Sequence, residues 1–177
     1  MAQGDLWKIK ATAGGDVVQA KLDLTKNDQA HIRGIPWFGG FAGGAAVLSE
    51  HMLAAGEGGL TPRMGGVTLA PGLGLTNRAV IDQGGAASNR LGRLLGALAL
   101  NPFALGLGID ADTAAIIGPD NVLEVSGHGG VTVVDPSDVG PSNVTEAGAQ
   151  APISITNLRL HVLVHGTRYD LDFRRPL

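Results

Sequence analysis

The sequence predicts an α/β protein, mixed helix and strand as far as Pro102 and β-rich beyond it. Three observations predict this. Leu91, Leu94, Leu95 and Leu98 fall at helical spacing between Ser88 and Asn101. After Pro102 the apolar residues come in short runs separated by Gly, Pro, Asp and Asn, the pattern of strands joined by tight turns. Hydrophobic residues make up 44% of the chain and charged residues 16%, which suits a packed core and excludes a solvated, disordered polymer.

The elements follow in order. Leu6 to Thr12 reads as a short strand ending at Gly14-Gly15. Thr25 with Asp28 has the residue types of a helix start, running towards Ile32. Ile35-Pro-Trp-Phe38 is a short apolar run before Gly39-Gly40. Gly43 to Ala55 reads as a helix, with Val47, Leu48, Met52 and Ala55 at helical spacing. Thr61 to Gly74 is loop with some strand, and Arg78 to Asp82 a short apolar strand. Ser88 is a candidate cap for the helix that Asn101-Pro102 ends. Ala104–Asp110, Thr113–Ile117, Val122–Val125 and Val131–Val134 are the strand candidates of the second half, with Pro119-Asp-Asn121 as a hairpin turn. Residues 136–152 are poor in bulky side chains and read as a long loop. Leu158, Leu160, Val162 and Val164 alternate onto one face, and Tyr169, Leu171 and Phe173 alternate likewise, which predicts a C-terminal hairpin.

Composition excludes several functions. Glycine accounts for 28 of 177 residues, over twice the ~7% norm, but without a Gly-X-Y period, so a collagen-like helix is out. Lys and Arg number 13 against 16 Asp and Glu, for a net charge of −3. That is no basic face for nucleic acid. Cysteine is absent, which removes disulfides, thiolate nucleophiles and Cys-ligated zinc. The first residues carry no apolar signal-type run, and no run of about 18 apolar residues occurs. The expectation is a cytoplasmic protein with no membrane partner.

The remaining chemistry is sparse. His161 and His165 share a strand face, but four residues at about 3.3 Å each place them about 13 Å apart, too far to share a metal. Ser49-Glu50-His51 contains triad residue types, yet neighbours along a helix point about 100° apart and cannot form a relay. No phosphate-binding P-loop occurs, and Gly106-Leu-Gly108 is not followed by a helical pattern. No cofactor is expected. One arrangement is more informative. Ile35–Phe38, the turn Gly39-Gly-Phe-Ala-Gly-Gly-Ala45 and the run Val47–Ala55 read as a strand, a sharp glycine-rich turn and a helix. Such a turn presents a nucleophile where backbone N–H groups can hold an oxyanion. Here its apex is Phe41, Ala42 and Gly43, and none of them can attack.

Gly40-Phe-Ala-Gly-Gly-Ala-Ala-Val-Leu-Ser-Glu-His-Met52 resembles the nucleophile elbow of cyanophycinase-like serine peptidases. The likeness continues through Thr61-Pro-Arg63, Leu69-Ala-Pro-Gly-Leu-Gly74, Ile81-Asp-Gln83, Asn89-Arg-Leu-Gly-Arg-Leu94, Gly108-Ile-Asp110 and Val131-Thr-Val-Val-Asp135. It closes with Leu158-Arg-Leu-His-Val-Leu163 and runs from about Gly14 to Leu177 in all. The resemblance implies one α/β domain over residues 1–177, a truncated or repacked doubly wound sheet lacking the family's N-terminal third. Strands lost from such a sheet would bare an edge that pairs with something else.

The departures concern the residues that the resemblance would make catalytic. The family's nucleophilic serine falls on Ala42, its histidine on Gly84 and its glutamate on Ala111. The substrate loop reads Gly14-Gly15-Asp16-Val17, and an expected arginine falls on Ser88. Gly43, Gln83, Asn89 and Arg90 complete the vestigial pocket. The frame is kept and the triad is gone, which predicts a pseudoenzyme that works by self-association, as a homo-oligomer built on the apolar residues Trp37, Phe38 and Phe41. Two alternatives stand beside it. One is a non-catalytic subunit that pairs with an active paralogous chain or holds an Asp/Arg-rich peptide. The other is a serine-type peptidase acting on cyanophycin or aspartyl dipeptides with relocated residues.

Overall fold

Alternation of buried side chains along short strands organises the molecule into two four-stranded sheets that share one core, with a single described helix on the outer face of the first. The computed structural model describes residues 9–13, 16–20, 39–40, 44–83 and 89–177. Strands β1 (Ile9–Ala13) and β2 (Asp16–Ala20) form an antiparallel pair. A short 3-10 turn (Ala46–Leu48) leads into β3 (His51–Gly56), which pairs antiparallel with β4 (Val67–Pro71). Then come β5 (Ala79–Gln83), helix α1 (Leu91–Leu100) and β6 (Leu105–Ile109). β5 and β6 run parallel, joined by a crossover through α1. The second half supplies β7 (Thr113–Ile117), β8 (Val122–Gly127), β9 (Gly130–Asp135), β10 (Arg159–Val164), β11 (Arg168–Asp170) and β12 (Arg175–Pro176). The sheet orders are β10-β9-β6-β5 and β12-β11-β8-β7. The fold is thus mixed α/β and strand-rich, as the sequence predicts. Among the described strands only β5 and β6 pair parallel, with one isolated parallel bridge between Ser49 and Thr76.

Period-two alternation divides the core in two. Ala79, Ile81, Leu105, Leu107, Val131, Val133 and Leu163 face the second sheet, where Leu123, Val125, Tyr169 and Leu171 meet them. Val80 and Val134 point the other way, into the cluster formed by Leu94, Ala97 and Leu98 of α1. Each such leucine contributes about 1.5–3 kcal/mol by leaving water. The helix sits close because β6 presents Gly106 to it, where a Cβ would stand 2.9 Å from Leu98 Cδ1 and 3.1 Å from Leu94 Cγ. No helix among the described residues is long and apolar enough to cross a membrane.

Three expectations need correction. The helix predicted over Gly43–Ala55 is a single 3-10 turn followed by a strand. Ala45 makes no side-chain cap and the first turn holds no acid, so little favours propagation. Ser49 is already extended (φ −71°, ψ 155°). The loop after β4 then takes up the free carbonyls: Gly72 N donates to Glu50 O, Leu73 N to Val47 O, Gly74 N to Ser49 O, and Leu75 N to Leu48 O. Helix α1 begins at Leu91, so the residue before it is Arg90 and not Ser88, and Arg90 makes no side-chain cap. The C-terminal alternating runs do not pair with each other. β10 joins β9 in the first sheet, whereas β11 joins β8 and β12 in the second. The switch is made at Gly166 (φ +79°), with Thr167 bonded back to Val164 O through both N–H and Oγ1. Tyr169 and Leu171 are thereby buried while Phe173 stays exposed. Between β9 and β10 the chain crosses residues 136–158 without a helix or strand.

Candidate functional site

The parallel register fixes the site's geometry. Ala79 pairs with Leu105 and Gln83 with Ile109, so β5 and β6 end at the same edge of the sheet. Gly84 follows directly from one and Asp110-Ala111 from the other. This C-terminal edge of parallel strands is where open α/β sheets carry ligands.

Asp82, the penultimate residue of β5, is buried and meets Arg93 of α1. Arg93 Nε donates to Asp82 Oδ2 at 2.7 Å, and Nη2 donates to Oδ1. Arg93 Nη1 also reaches Gly56 O at 3.4 Å. The Asp82 carboxylate beside Arg93 holds the guanidinium above its ordinary pKa, although burial opposes this. Asp82 Oδ1 further accepts from Gln83 N at 2.7 Å. Arg90 Nη1 donates to Gln83 O at 2.9 Å. Two arginines one helical turn apart thus tie α1 to the end of β5.

The neighbouring edge is held as firmly. Asp110 N donates to Gly130 O at 3.0 Å, and Asp110 Oδ2 accepts from Gly130 N at 3.1 Å. Ala111 is exposed, and its carbonyl accepts from Thr113 Oγ1 at 3.0 Å. Its methyl group has no proton to exchange. Asn89 takes a left-handed backbone (φ 51°), and its carbonyl accepts from Gly59 N at 2.6 Å. A cavity of about 230 Å³ opens beside this contact, lined by Glu57, Thr61, Arg63 and Arg93 among others.

Of the residues singled out from sequence, Gln83 and Arg90 are in direct contact, Asn89 adjoins Arg90, and Ala111 stands at the end of the strand next to Gln83. Asp16 opens β2 opposite Ala13. Gly14, Gly15, Trp37, Phe38, Phe41, Ala42, Gly43, Gly84 and Ser88 lie outside the described residues. Ser49, Glu50 and His51 do not share a helix. Ser49 is fully buried and its Oγ accepts from Ile81 N at 3.2 Å, whereas Glu50 and His51 are exposed. Ser49 therefore links the segment after the glycine-rich turn to β5. Sequence reasoning missed this link and the Asp82–Arg93 pair. The one available signal was an acid inside an apolar strand run and an arginine next to the leucine stripe of a helix.

No family model matches the chain. Known proteins do. Over 138 residues, 78% of this chain, it is 45% identical to the cyanophycinase of Trichormus variabilis, covering 46% of that protein. The chain is cyanophycinase-like. A cyanophycinase of Geminocystis herdmanii is 42% identical over 139 residues, 78% of this chain and 51% of the relative. One of Synechococcus elongatus is 45% identical over 133 residues, 75% and 41% respectively. The cyanophycinase-like chain spans about half the length of the curated relatives it matches.

Proposed function

We propose that this cyanophycinase-like chain is catalytically inert and acts by self-association. The first half is supported by the identity of three residues: Ala42, Gly84 and Ala111 occupy the positions to which the resemblance assigns nucleophile, base and acid. An alanine cannot form an acyl intermediate, and a glycine cannot take its proton. Ion pairs and hydrogen bonds around the end of β5 support a frame that stays folded without triad side chains. Incubation with cyanophycin and with β-aspartyl-arginine tests it, with no release of product above a buffer blank as the expected result. Turnover that survives repeated purification would instead establish a peptidase with relocated residues.

Self-association is supported by strand β10, an edge of its sheet among the described residues. Leu160, Val162 and Val164 are 52%, 64% and 54% exposed on one face. An apolar stripe on an edge strand favours pairing, and a net charge of −3 opposes it little. This face is separate in sequence from Trp37, Phe38 and Phe41, which remain part of the proposed interface. Light scattering on the purified chain tests it.

A second reading is favoured by the cavity lined by Glu57, Arg63 and Arg93, which offers a ligand an anion and the cation of Arg63, Arg93 being paired with Asp82. On that reading the chain is a binding subunit that holds an Asp/Arg-rich peptide or pairs with a paralogous chain. Calorimetric titration with β-aspartyl-arginine, and a search for a co-purifying second chain, separate it from the first.

A further inference from the structure

Three polar groups gather at one end of the core between the two sheets. Asp135 ends β9 and pairs in register with Arg159 of β10. His161 lies two residues further along β10 on the same face. Its ring stands against that of Tyr169 from β11, with centroids 5.3 Å apart and planes tilted by 55°. Asp135 and Tyr169 are both fully buried. One carboxylate oxygen of Asp135 is well served: Oδ1 accepts from Ser137 N at 3.0 Å, from Ser137 Oγ at 2.5 Å and from Arg174 Nη1 at 2.8 Å. The other is not. Oδ2 faces Arg159 Nη1 at 3.6 Å, beyond hydrogen-bond reach. Asp135 Oδ2, His161 Nε2 and Tyr169 Oη are each buried with no hydrogen-bond partner among the described residues.

Buried polar atoms are hydrogen-bonded in the great majority of cases, to protein or to ordered water. A bridging group here has tight requirements. It must donate, because an ionised carboxylate only accepts. It must also accept, because the Tyr169 hydroxyl has a proton to place. It must be small, because Tyr169 packs in the same apolar cluster as Val133 and Leu163. It must be neutral, because Asp135 already carries Arg174 and Arg159 as counter-ions. Water meets all four conditions and makes about three such bonds when buried.

We propose that Asp135 Oδ2, His161 Nε2 and Tyr169 Oη together form a binding site for an internal water molecule, which joins strands of both sheets. The water accepts from the Tyr169 hydroxyl and donates to Asp135 Oδ2. Its remaining valence serves His161 Nε2. The site belongs to neither the strand-end edge nor the cavity near Arg63.

Water-oxygen magnetic relaxation dispersion on the full chain, wild type against Tyr169→Phe, tests the proposal. The wild type should hold a long-lived internal water that the variant lacks, and the variant should melt about 2–4 °C lower. If the hydroxyl were without a bridge, Tyr169→Phe would remove an unsatisfied group. It would then melt at the same or a higher temperature with an unchanged dispersion amplitude, and that result overturns the site. Should the variant fail to fold, the wild type alone decides. Nuclear Overhauser contacts from the His161 and Tyr169 ring protons to water support the site, and their absence overturns it.

Discussion

Asp82 and Arg93 form a two-pronged ion pair that joins the end of a parallel strand to the first turn of the helix crossing over it. The side chains are 3% and 15% exposed. A forked guanidinium–carboxylate contact of this kind is directional as well as strong, so it fixes where Gln83 leaves the sheet. Removing one member of a buried pair strands the other, at a cost of about 3–5 kcal/mol. Arg93→Met is therefore expected to destabilise the chain by about that amount in urea titration. Arg90→Ala, which loses one bond to a carbonyl, should cost about 1 kcal/mol. The double replacement Asp82→Leu with Arg93→Met should recover much of the loss, since an apolar pair of similar volume is often tolerated.

How much of this was legible beforehand follows from which interactions are local. The helix over Leu91–Leu100 announces itself by period, because its leucine stripe is the face that packs on the sheet, and Thr113–Ile117 by alternation of half-buried and exposed side chains, whereas Gly130–Asp135, buried at nearly every position, is legible as a short apolar run between turn residues. The run Val47–Ala55 misleads because four apolar residues match a helical period while the decisive contacts come from Gly72 to Leu75, over twenty residues away. The face of β10 misleads in another way. The alternation of Leu160, Val162 and Val164 is real, but it marks the exposed side, while His161 and Leu163 turn to the core. The ends of β5 and β6 could be placed side by side only once their parallel register was known.

Gly72 is where the loop after β4 presses against the turn after the glycine-rich segment. A Cβ at that position would stand 2.0 Å from Ser49 O and 2.8 Å from Val47 O. Both are backbone atoms and cannot rotate away. Gly72→Ala should cost about 1–3 kcal/mol, the usual range for overpacking. Gly148→Ala, with open space around the added methyl, should lie within about 0.5 kcal/mol of the parent. Equal midpoints for the two in chemical denaturation would show that the loop does not hold the turn.

Restoring a single catalytic residue should not restore chemistry. In Ala42→Ser the new hydroxyl needs a base within about 3 Å, and position 84 is glycine. Triad members act as a unit, so one alone recovers little. A fluorophosphonate probe should leave Ala42→Ser unlabelled at concentrations that label an active serine hydrolase completely. Stoichiometric labelling would reveal a base elsewhere and favour the relocated peptidase.

The β10 edge gives the self-association reading its sharpest test. Light scattering at tens of micromolar should return a multiple of the 18.0 kDa chain mass. Val162 is the most exposed of the three apolar residues on the stripe. Val162→Lys places a charge there without touching the core, the device by which natural edge strands avoid pairing. The variant should keep the parent circular dichroism and shift to monomer mass. A wild type that runs as a monomer removes the proposal, and Trp37→Ser with an unchanged assembly would confine it to β10.

Tyr169 is the one tyrosine of the chain, so its ionisation can be followed by phenolate absorbance without assignment. Burial pushes its hydroxyl up to about 12, with Asp135 adding to the shift. The unfolded chain should titrate near the ordinary value of about 10. The folded state therefore holds the proton more tightly than the unfolded state. Its contribution to stability is complete below pH ~10 and is lost as pH rises from there through about 12. Asp135 acts at the opposite end. Burial raises its carboxyl, but hydrogen bonds from Ser137 and Arg174 outweigh that and hold it below the usual carboxylate range. Its contribution is present at neutral pH and disappears as pH falls through that lowered value. Stability should thus show a plateau bounded by carboxylate protonation on one side and by phenol ionisation on the other. Tyr169→Phe should remove the alkaline limb of this profile and leave the acid limb in place. A phenolate midpoint near 10 in the folded chain would mean that the hydroxyl is hydrated by bulk solvent, contrary to its burial.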